Sequence, residues 1–474
     1  MRGLDAWRAR GTQTPRTDYL AGNKRPMPSS TTNPMILSRI SAEQLAAKPM
    51  GHHVPSGCSH MIHVLFLEMV RTDFNRMRLD VWNAIRQLSK DSATATVLSM
   101  HSIETPTDTW SGASSQTHAT GDIVFRDISQ YKGYDFRNIL QEVKPDIVVM
   151  VHDGFLINAA MNAACRQKGI PTLWIQDGAL SPIPVKNGNS KRGIWRYRWR
   201  SRWRSSSAYY VRTVGIRHTL SLPVVRKLVR MKLSNESILS TIILPEFHCD
   251  HAAVLGEYYV DLAERQGYEK QNIHVVGSYD MSSGVVNLFD YDPASRTVLY
   301  VAQAFVEMGL LPKERFHSWA AALSAHLGKD LRLVVKPHPS NDPELLRWCF
   351  PQAEFIDNSK GNPPRKVRQI LAHFSTLNTG LIARGIPLVN LVFPELVRMS
   401  DVPGTSGLAL FSADDFESIV HFVQTNPDEE SLKSLQTRAA FYAAPDHDFT
   451  SLTAELVFAL AQRRHIGQTE HWDG

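Results

Sequence analysis

Long apolar runs and cysteines are both scarce in this sequence of 474 residues. No apolar stretch reaches the about 18 residues that mark a membrane-spanning helix. The four cysteines, Cys58, Cys165, Cys249 and Cys349, are far apart and form no CxxC pair, which disfavours both a disulfide framework and a cysteine-rich zinc site. The N-terminus also lacks the apolar core of a secretory signal. We therefore expect a cytoplasmic protein with free thiols.

Acidic residues are absent from one long segment. Between Gly178 and Asn235 there is no Asp or Glu, whereas there are 14 Lys and Arg. Because the formal net charge of the whole chain is only +6, the remainder of the sequence is net acidic. A basic patch that is confined to one segment indicates a local anionic partner.

The core of this basic segment is KRGIWRYRWRSRWR, which spans Lys191 to Arg204. On a helix its tryptophans would form one apolar stripe between arginines. Three interpretations stay open. The segment could be a helix packed on its own domain, or an interfacial helix that binds either the inner membrane face or an anionic acceptor. It could also be an arm that binds nucleic acid. Nucleic acid is the least favoured. The residues assigned to the membrane or anionic partner are Trp195, Arg196, Trp199, Arg200, Trp203 and Arg204.

The length predicts two large domains, because a domain usually has about 100–200 residues. From Met61 onward, apolar runs such as MIHVLFLE and PDIVVMV alternate with helical patterns. Such strands are typical of parallel sheets covered on both faces, so the predicted fold is α/β with two Rossmann-like domains. The predicted units are a disordered extension over 1–60, an N-terminal domain over 61–178, a basic insert and linker over 179–245, a C-terminal domain over 246–440, and a helical tail over 441–474.

Two details of the second half come from the same patterns. The segment HAAVLGEYYVDLAERQG, from His251 to Gly267, is predicted to form the strand, turn and helix that open the C-terminal domain. The spacing of apolar residues from Arg365 to Ala372 favours a helix.

Ligands of parallel α/β sheets bind beyond the carboxyl ends of the strands, and the stretch LRLVVKPHPSND ends a strand in this way. Its prolines, Pro337 and Pro339, restrict the backbone on both sides of His338. The loop is therefore stiff, and it would present the imidazole in a preset orientation beside Lys336. We favour a phosphate contact or proton transfer over a plain surface histidine.

Three other strand ends carry candidate residues. Asp177, in the turn Gln176-Asp177-Gly178, could act as a general base or be part of an ordinary Asp-Gly turn. Ser375 and Thr376 precede a helix, where hydroxyls and N–H groups could bind a phosphate or only cap the helix. His152 and Asp153 could line an acceptor pocket, although a capping role is slightly favoured. The candidate phosphate-binding residues are Lys336, Ser375, Thr376, Asn378, Thr379 and Gly380.

This combination of KPHP, a Ser/Thr turn and RGIP resembles GT-B fold glycosyltransferases, whose two Rossmann-like domains face a cleft. More narrowly it resembles bacterial enzymes of surface polysaccharide assembly: sialyltransferases and polysialyltransferases, capsule Kdo transferases, and CDP-glycerol glycerophosphotransferases. The related UDP-GlcNAc 2-epimerases share the fold. The resemblance covers about residues 61–460. It implies an N-terminal domain for the acceptor and a C-terminal domain for the nucleotide sugar.

The resemblance also implies residue roles. Asp177 would deprotonate the acceptor hydroxyl, His338 would contact the donor phosphate and aid departure of the leaving group, and Ser375 and Thr376 would hold that phosphate. It implies neither metal nor cofactor, only a nucleotide-sugar substrate, with a CMP-linked sugar as one candidate, and a glycan or lipid-linked acceptor. Gln176 stands where the sialyltransferase pattern has an acidic residue, and Gly380 stands where many GT-B enzymes have a ribose-binding Glu. A polyol-phosphate transferase, an epimerase-like enzyme and a non-catalytic nucleotide-sugar-binding protein are the alternatives.

Overall fold

The computed structural model describes residues 61–68, 74, 77–100, 118–120, 122–131, 133, 135–151, 155–178, 205–234, 244–338, 340–356, 365–373, 375–399 and 406–469. All of them belong to one compact unit, Ser59–Gly474. The predicted extension over 1–60 and the Trp/Arg core of the basic insert lie outside the described residues.

The first half of the chain forms an eight-stranded sheet. Its order is β3-β4-β2-β1-β5-β6-β7-β8, and every pair is parallel except β3 with β4. The central strands are buried along almost their whole length, as expected for a sheet covered on both faces. The strands are β1 Ile62–Glu68, β2 Ala93–Ser99, β3 His118–Thr120, β4 Ile123–Asp127, β5 Ile147–Met150, β6 Thr172–Ile175, β7 His251–Val254 and β8 Ile273–Val275.

Helices cover both faces of this sheet. The first, α1, buries Met77, Val81, Trp82 and Ile85 against the sheet, because these residues recur at helical spacing. The other helices of this half are α2 Phe136–Val143, α3 Leu156–Gln167, α4 Ile216–Thr219, α5 Leu222–Ser234 and α6 Glu257–Gln266, while α1 itself spans Met77–Leu88. Residues 205–214 are also helical.

The second half forms a six-stranded, fully parallel sheet in the order β12-β11-β10-β14-β15-β16, beside a two-stranded pair of β9 and β13. Two apolar clusters pack on its two faces. The strands are β9 Phe289–Tyr291, β10 Thr297–Val301, β11 Arg332–Lys336, β12 Glu354–Phe355, β13 Arg365–Val367, β14 Gln369–Ala372, β15 Leu388–Val392 and β16 Ala409–Ser412. The helices are α7 Tyr279–Ser282, α8 Lys313–Leu327, α9 Pro343–Cys349, α10 Thr376–Ala383, α11 Phe416–Gln424, α12 Glu429–Ala443 and α13 Phe449–Thr469.

The chain crosses between the halves twice. It leaves the first sheet after β8, and it returns after α12, so that α13 packs against α1 and the first sheet. The two connecting segments, one after β8 and one after α12, are in contact at Gly277, which has a φ of +86°. A Cβ there would lie 2.9 Å from the Cβ of His447, so a side chain at this position would force the crossings apart.

The predicted α/β fold with two Rossmann-like domains is confirmed. Two finer expectations were wrong. The segment from His251 to Gly267 was expected to open the C-terminal domain, but it forms β7 and α6 of the first half. Strand β7 pairs with β6 in the first sheet. Alternating patterns do not reveal which sheet a strand joins; here the long connection through residues 205–234 returns the chain to the first sheet. Arg365–Ala372 forms β13 and β14 instead of a helix, because its short apolar run is buried between β10 and β15.

No helix among the described residues is long and apolar enough to cross a membrane.

One histidine is buried in the core of the second half. His373 follows β14 and is 1% exposed. Its Nδ1 lies 2.7 Å from the Leu391 carbonyl oxygen, which can only accept, and its Nε2 lies 3.1 Å from the Tyr300 hydroxyl. The ring stacks on Phe393 at a centroid distance of 5.1 Å. Both nitrogens are thus satisfied in the neutral form, and burial lowers the pKa of His373 to about 4.

This burial predicts acid sensitivity. The unfolded chain binds a proton near the ordinary pKa of 6.5, whereas folded His373 stays neutral to about 4, so its share of stability is kept above pH 6.5 and is lost as the pH falls toward 4. The loss amounts to ~3 kcal/mol. His373→Gln should lower the midpoint of urea unfolding at about pH 7.5. Between about pH 7.5 and about pH 5, however, this midpoint should fall less in the variant than in wild type. Exposed His421 provides the control, since His421→Gln should leave the drop unchanged. An equal drop in wild type and His373→Gln would contradict the assignment.

Candidate functional site

The carboxyl ends of the two sheets face one cleft of about 710 Å³. The two halves approach each other closely at its base, where a Cβ at Gly178 would lie 3.8 Å from Thr376 Cγ2. The polar lining includes Arg78, Gln176, Asp177, Ser278, Tyr279, Asp280, Gln303, Lys336, His338, Ser375 and Thr376. The strand-end candidates Asp177, Lys336, His338, Ser375 and Thr376 are thus brought together.

Asp177 contacts an ion pair that is buried in the interior of the first half. Arg78 donates from Nε to Glu68 Oε1 at 2.9 Å and from Nη2 to Glu68 Oε2 at 2.8 Å. Glu68 is 1% exposed and Arg78 is 6% exposed. The remaining nitrogen, Nη1, lies 3.2 Å from Asp177 Oδ2. The fixed guanidinium therefore orients Asp177.

Gln176 has a structural function that its position in the motif did not indicate. Its amide Nε2 donates to the Gly178 carbonyl oxygen at 2.8 Å, and its Oε1 accepts from the Leu255 N–H at 3.2 Å. The side chain is 1% exposed. The amide thus joins the end of β6 to the end of β7 and shapes the turn that presents Asp177. A carboxylate could accept from Leu255 but could not donate to Gly178.

The stiff loop after β11 holds His338 through two further hydrogen bonds. The N–H of Ser340 donates to His338 Nδ1 at 3.1 Å, and the N–H of His338 donates to Asn341 Oδ1 at 2.7 Å. With Nδ1 accepting, the neutral ring carries its proton on Nε2. Burial, followed by the positive charge of Lys336, lowers the pKa of His338. At neutral pH this histidine is a neutral hydrogen-bond donor.

Asn341 connects this loop by hydrogen bonds to the segment that follows β10. Besides accepting from His338, its Nδ2 lies 3.3 Å from the Gln303 carbonyl oxygen and 3.2 Å from Glu307 Oε1. Glu307 also accepts from the N–H of Asp342 at 2.7 Å. Asp342 in turn caps α9. The loop is therefore held by side chains as well as by prolines.

Ser375 occupies the N-cap position of α10, but its side chain makes no capping hydrogen bond. The alternative of a purely structural cap, which the sequence left open, is therefore not supported. Ser375 and Thr376 line the cleft, and the first N–H groups of a helix favour an anion there.

Three of the candidate phosphate-binding residues do not line the cleft. Asn378 is fully buried, and its Nδ2 donates to the His373 carbonyl oxygen at 2.6 Å. Thr379 is 6% exposed. A Cβ at Gly380 would lie 2.9 Å from Met281 Sδ and 3.2 Å from Val286 Cγ2, so a side chain at this position would require Met281 to shift. These residues face the core because the first turn of α10 already carries the chain away from the cleft.

The other candidates lie outside the described residues. They are His152, Asp153, Pro339, Trp195, Arg196, Trp199, Arg200, Trp203 and Arg204.

Sequence reasoning missed Arg78, Glu68 and Asn341. Glu68 is the last residue of β1, so the rule that predicts ligands at strand ends could have indicated it. Arg78 and Asn341 gave no such signal. Among the described residues, no cluster of three or more His, Cys, Asp or Glu is placed to hold a metal.

Comparisons with known proteins concern the fold alone. No protein-family model matches the sequence, and a search of curated proteins found no match. Solved structures that are similar include UDP-GlcNAc 2-epimerase from Neisseria meningitidis bound to UDP-GlcNAc, with 10% identity, a TM-score of 0.42, and coverage of 85% of this chain and 100% of that one. The calicheamicin glycosyltransferase CalG4 has 13% identity, a TM-score of 0.44, and coverage of 85% and 99%. The H548A form of the wall teichoic acid polymerase TagF has 9% identity, a TM-score of 0.44, and coverage of 86% and 90%.

Two Rossmann-like sheets around one cleft constitute the GT-B fold. At these identities and TM-scores, the likenesses carry no substrate or activity over to this chain.

The position of Gln176 predicts the effect of restoring the acidic residue of the motif. Gln176→Glu should lower stability by about 1–3 kcal/mol, because it buries a charge and leaves the Gly178 carbonyl without its donor. Thermal unfolding would measure the change. Gln87→Glu, on the exposed face of α1, is the matched control and should have little effect. An unchanged melting temperature for Gln176→Glu would show that the turn accepts a carboxylate.

Proposed function

We propose that this protein is a glycosyltransferase that moves a sugar from a nucleotide-activated donor to a bacterial surface polysaccharide or lipid-linked glycan. The observation that carries the proposal is the cleft itself, in which a carboxylate from one half faces a donor set from the other. Asp177 lies on one side, and His338, Lys336 and Ser375 lie on the other.

The second half suits the phosphate of the donor. His338 has an Nε2–H available in its neutral form, Lys336 adds positive charge nearby, and the start of α10 adds oriented N–H groups. These groups can stabilise the negative charge that develops on a leaving phosphate without a proton being supplied.

The first half suits the acceptor. The Asp177 side chain is 44% exposed, so a hydroxyl group can reach it, while Arg78 orients it. An ionised carboxylate at hydrogen-bond distance can accept the proton of an attacking hydroxyl.

The proposed step transfers the sugar from the phosphate oxygen of the donor to the acceptor hydroxyl. Asp177 takes the proton of the acceptor hydroxyl, the acceptor oxygen bonds to the anomeric carbon, and the bond from that carbon to the phosphate oxygen breaks. The electron pair leaves with the nucleotide, whose phosphate is held by His338, Lys336 and the start of α10. A CMP-linked acidic sugar is the finer candidate, supported by the sequence resemblance alone.

Nucleotide release from a panel of CMP-, CDP-, UDP- and GDP-activated donors would test this function. One donor should be hydrolysed slowly, and His338→Ala and Asp177→Asn should each reduce release by about 10²–10⁴-fold. His421→Ala and Asp261→Asn alter exposed residues and should retain release, which makes them matched controls.

Four results would contradict the proposal. Release that both site variants retain would place the chemistry elsewhere. Binding of a donor without release under any acceptor would indicate a non-catalytic nucleotide-sugar-binding protein. Inversion at C2 of UDP-GlcNAc without an acceptor would indicate an epimerase, and transfer of glycerol phosphate from CDP-glycerol would indicate a polyol-phosphate transferase.

A further inference from the structure

Exposed aliphatic side chains are concentrated in one short region of the first half. Among the described residues, twelve large apolar side chains are exposed, and five of them lie between Ile216 and Val229. Single exposed apolar residues are ordinary, whereas a cluster indicates a contact surface. These five residues define the α4–α5 face: Ile216 at 66% exposure, Leu220 at 70%, Leu222 at 62%, Val225 at 37% and Val229 at 48%.

The exposure is not the result of a helix that is detached from the domain. The opposite side of α5 is buried, with Val224 at 1% and Lys227 at 5% exposure, and Lys227 Nζ lies 5.4 Å from the Phe247 ring centroid. His218 of α4 lies 2.6 Å from Glu246 Oε1. The two helices are therefore anchored on one side while aliphatic groups project from the other.

The charged side chains of residues 205–234 have one sign. Residues 205–234 contain no Asp or Glu. Arg217 and Arg226 are exposed among the aliphatic side chains, and the acidic residue beside α4, Glu246, is buried and paired with His218. Leu222, Val225 and Val229 recur at helical spacing, so they share one side of α5.

Aliphatic side chains interspersed with cations suit a surface that is apolar below and anionic above. An anionic bilayer has this arrangement, since methylenes enter the acyl boundary while guanidinium groups stay at the phosphates. A protein partner would have to supply both an apolar surface and a dense acidic rim. We infer that the α4–α5 face docks this protein on an anionic lipid bilayer. The inference goes beyond the proposed function and does not depend on it.

Co-sedimentation of the full-length protein with vesicles tests the inference. Wild type should bind vesicles of phosphatidylglycerol and phosphatidylethanolamine, and it should bind phosphatidylcholine vesicles weakly. Leu220→Ser with Leu222→Ser should reduce the partition coefficient by about tenfold or more, because two side chains no longer enter the acyl boundary. Arg217→Gln with Arg226→Gln should weaken binding to the anionic vesicles and flatten its salt dependence.

The controls separate docking from folding and from catalysis. Leu88→Ser with Leu410→Ser removes two leucines that are exposed elsewhere, at 43% and 59%, and should bind like wild type. The Leu220/Leu222 variant should keep its melting temperature and its nucleotide release in solution. Loss of vesicle binding would therefore support docking whether or not any donor is hydrolysed.

Several results would overturn the inference. They include no binding by wild type, equal binding to both vesicle types, or undiminished binding by the Leu220/Leu222 variant. A variant with Trp195, Trp199 and Trp203 changed to Ala provides a further comparison: if it alone lost binding, the contact would belong to the Trp/Arg segment. If light scattering showed a wild-type dimer and a monomeric Leu220/Leu222 variant, the face would be an interface between two copies of this chain.

Discussion

The ion pair between Arg78 and Glu68 is the interaction on which the first-half side of the cleft depends. Two hydrogen bonds, of 2.9 and 2.8 Å, fix the guanidinium in the interior, and in this orientation Nη1 lies 3.2 Å from Asp177. Breaking a buried ion pair by removing one partner typically costs about 3–5 kcal/mol. The position of the proposed base is therefore coupled to the stability of β1 and α1, and not only to its own turn.

The second half positions its groups by a different means. His338 is held by backbone restriction and by hydrogen bonds to neighbouring residues, so its orientation needs no buried ion pair. Its lowered pKa and the use of Nδ1 as an acceptor make it a donor through Nε2. The cleft lining thus includes the Asp177 carboxylate from the first half and the His338 and Lys336 donors from the second, and the proposed function assigns the acceptor to the former and the phosphate to the latter.

The fold was predictable because its signal is local: buried parallel strands are continuous apolar runs, and Asp177 and His338 closely follow such runs. Arg78 was not predictable, because its partners, Glu68 and Asp177, meet it only once β1, α1 and β6 have packed. The same reason explains why β7 was assigned to the wrong half. Its sequence is typical of a strand, but it does not specify which sheet the strand joins. Asn378 and Gly380 were expected to bind phosphate but do not line the cleft. The reason is geometric, since a helix that begins at a cleft faces it with only its first residues.

The departure of Gln176 from the acidic motif follows from its hydrogen bonds. An amide can donate to Gly178 and accept from Leu255 at once, so this residue fixes the turn and leaves Asp177 as the carboxylate of that turn. That turn, the ion pair behind it and the α4–α5 face all belong to the first half. Docking through the α4–α5 face would therefore bring the half that carries Asp177 to the bilayer, where a lipid-linked acceptor would be held.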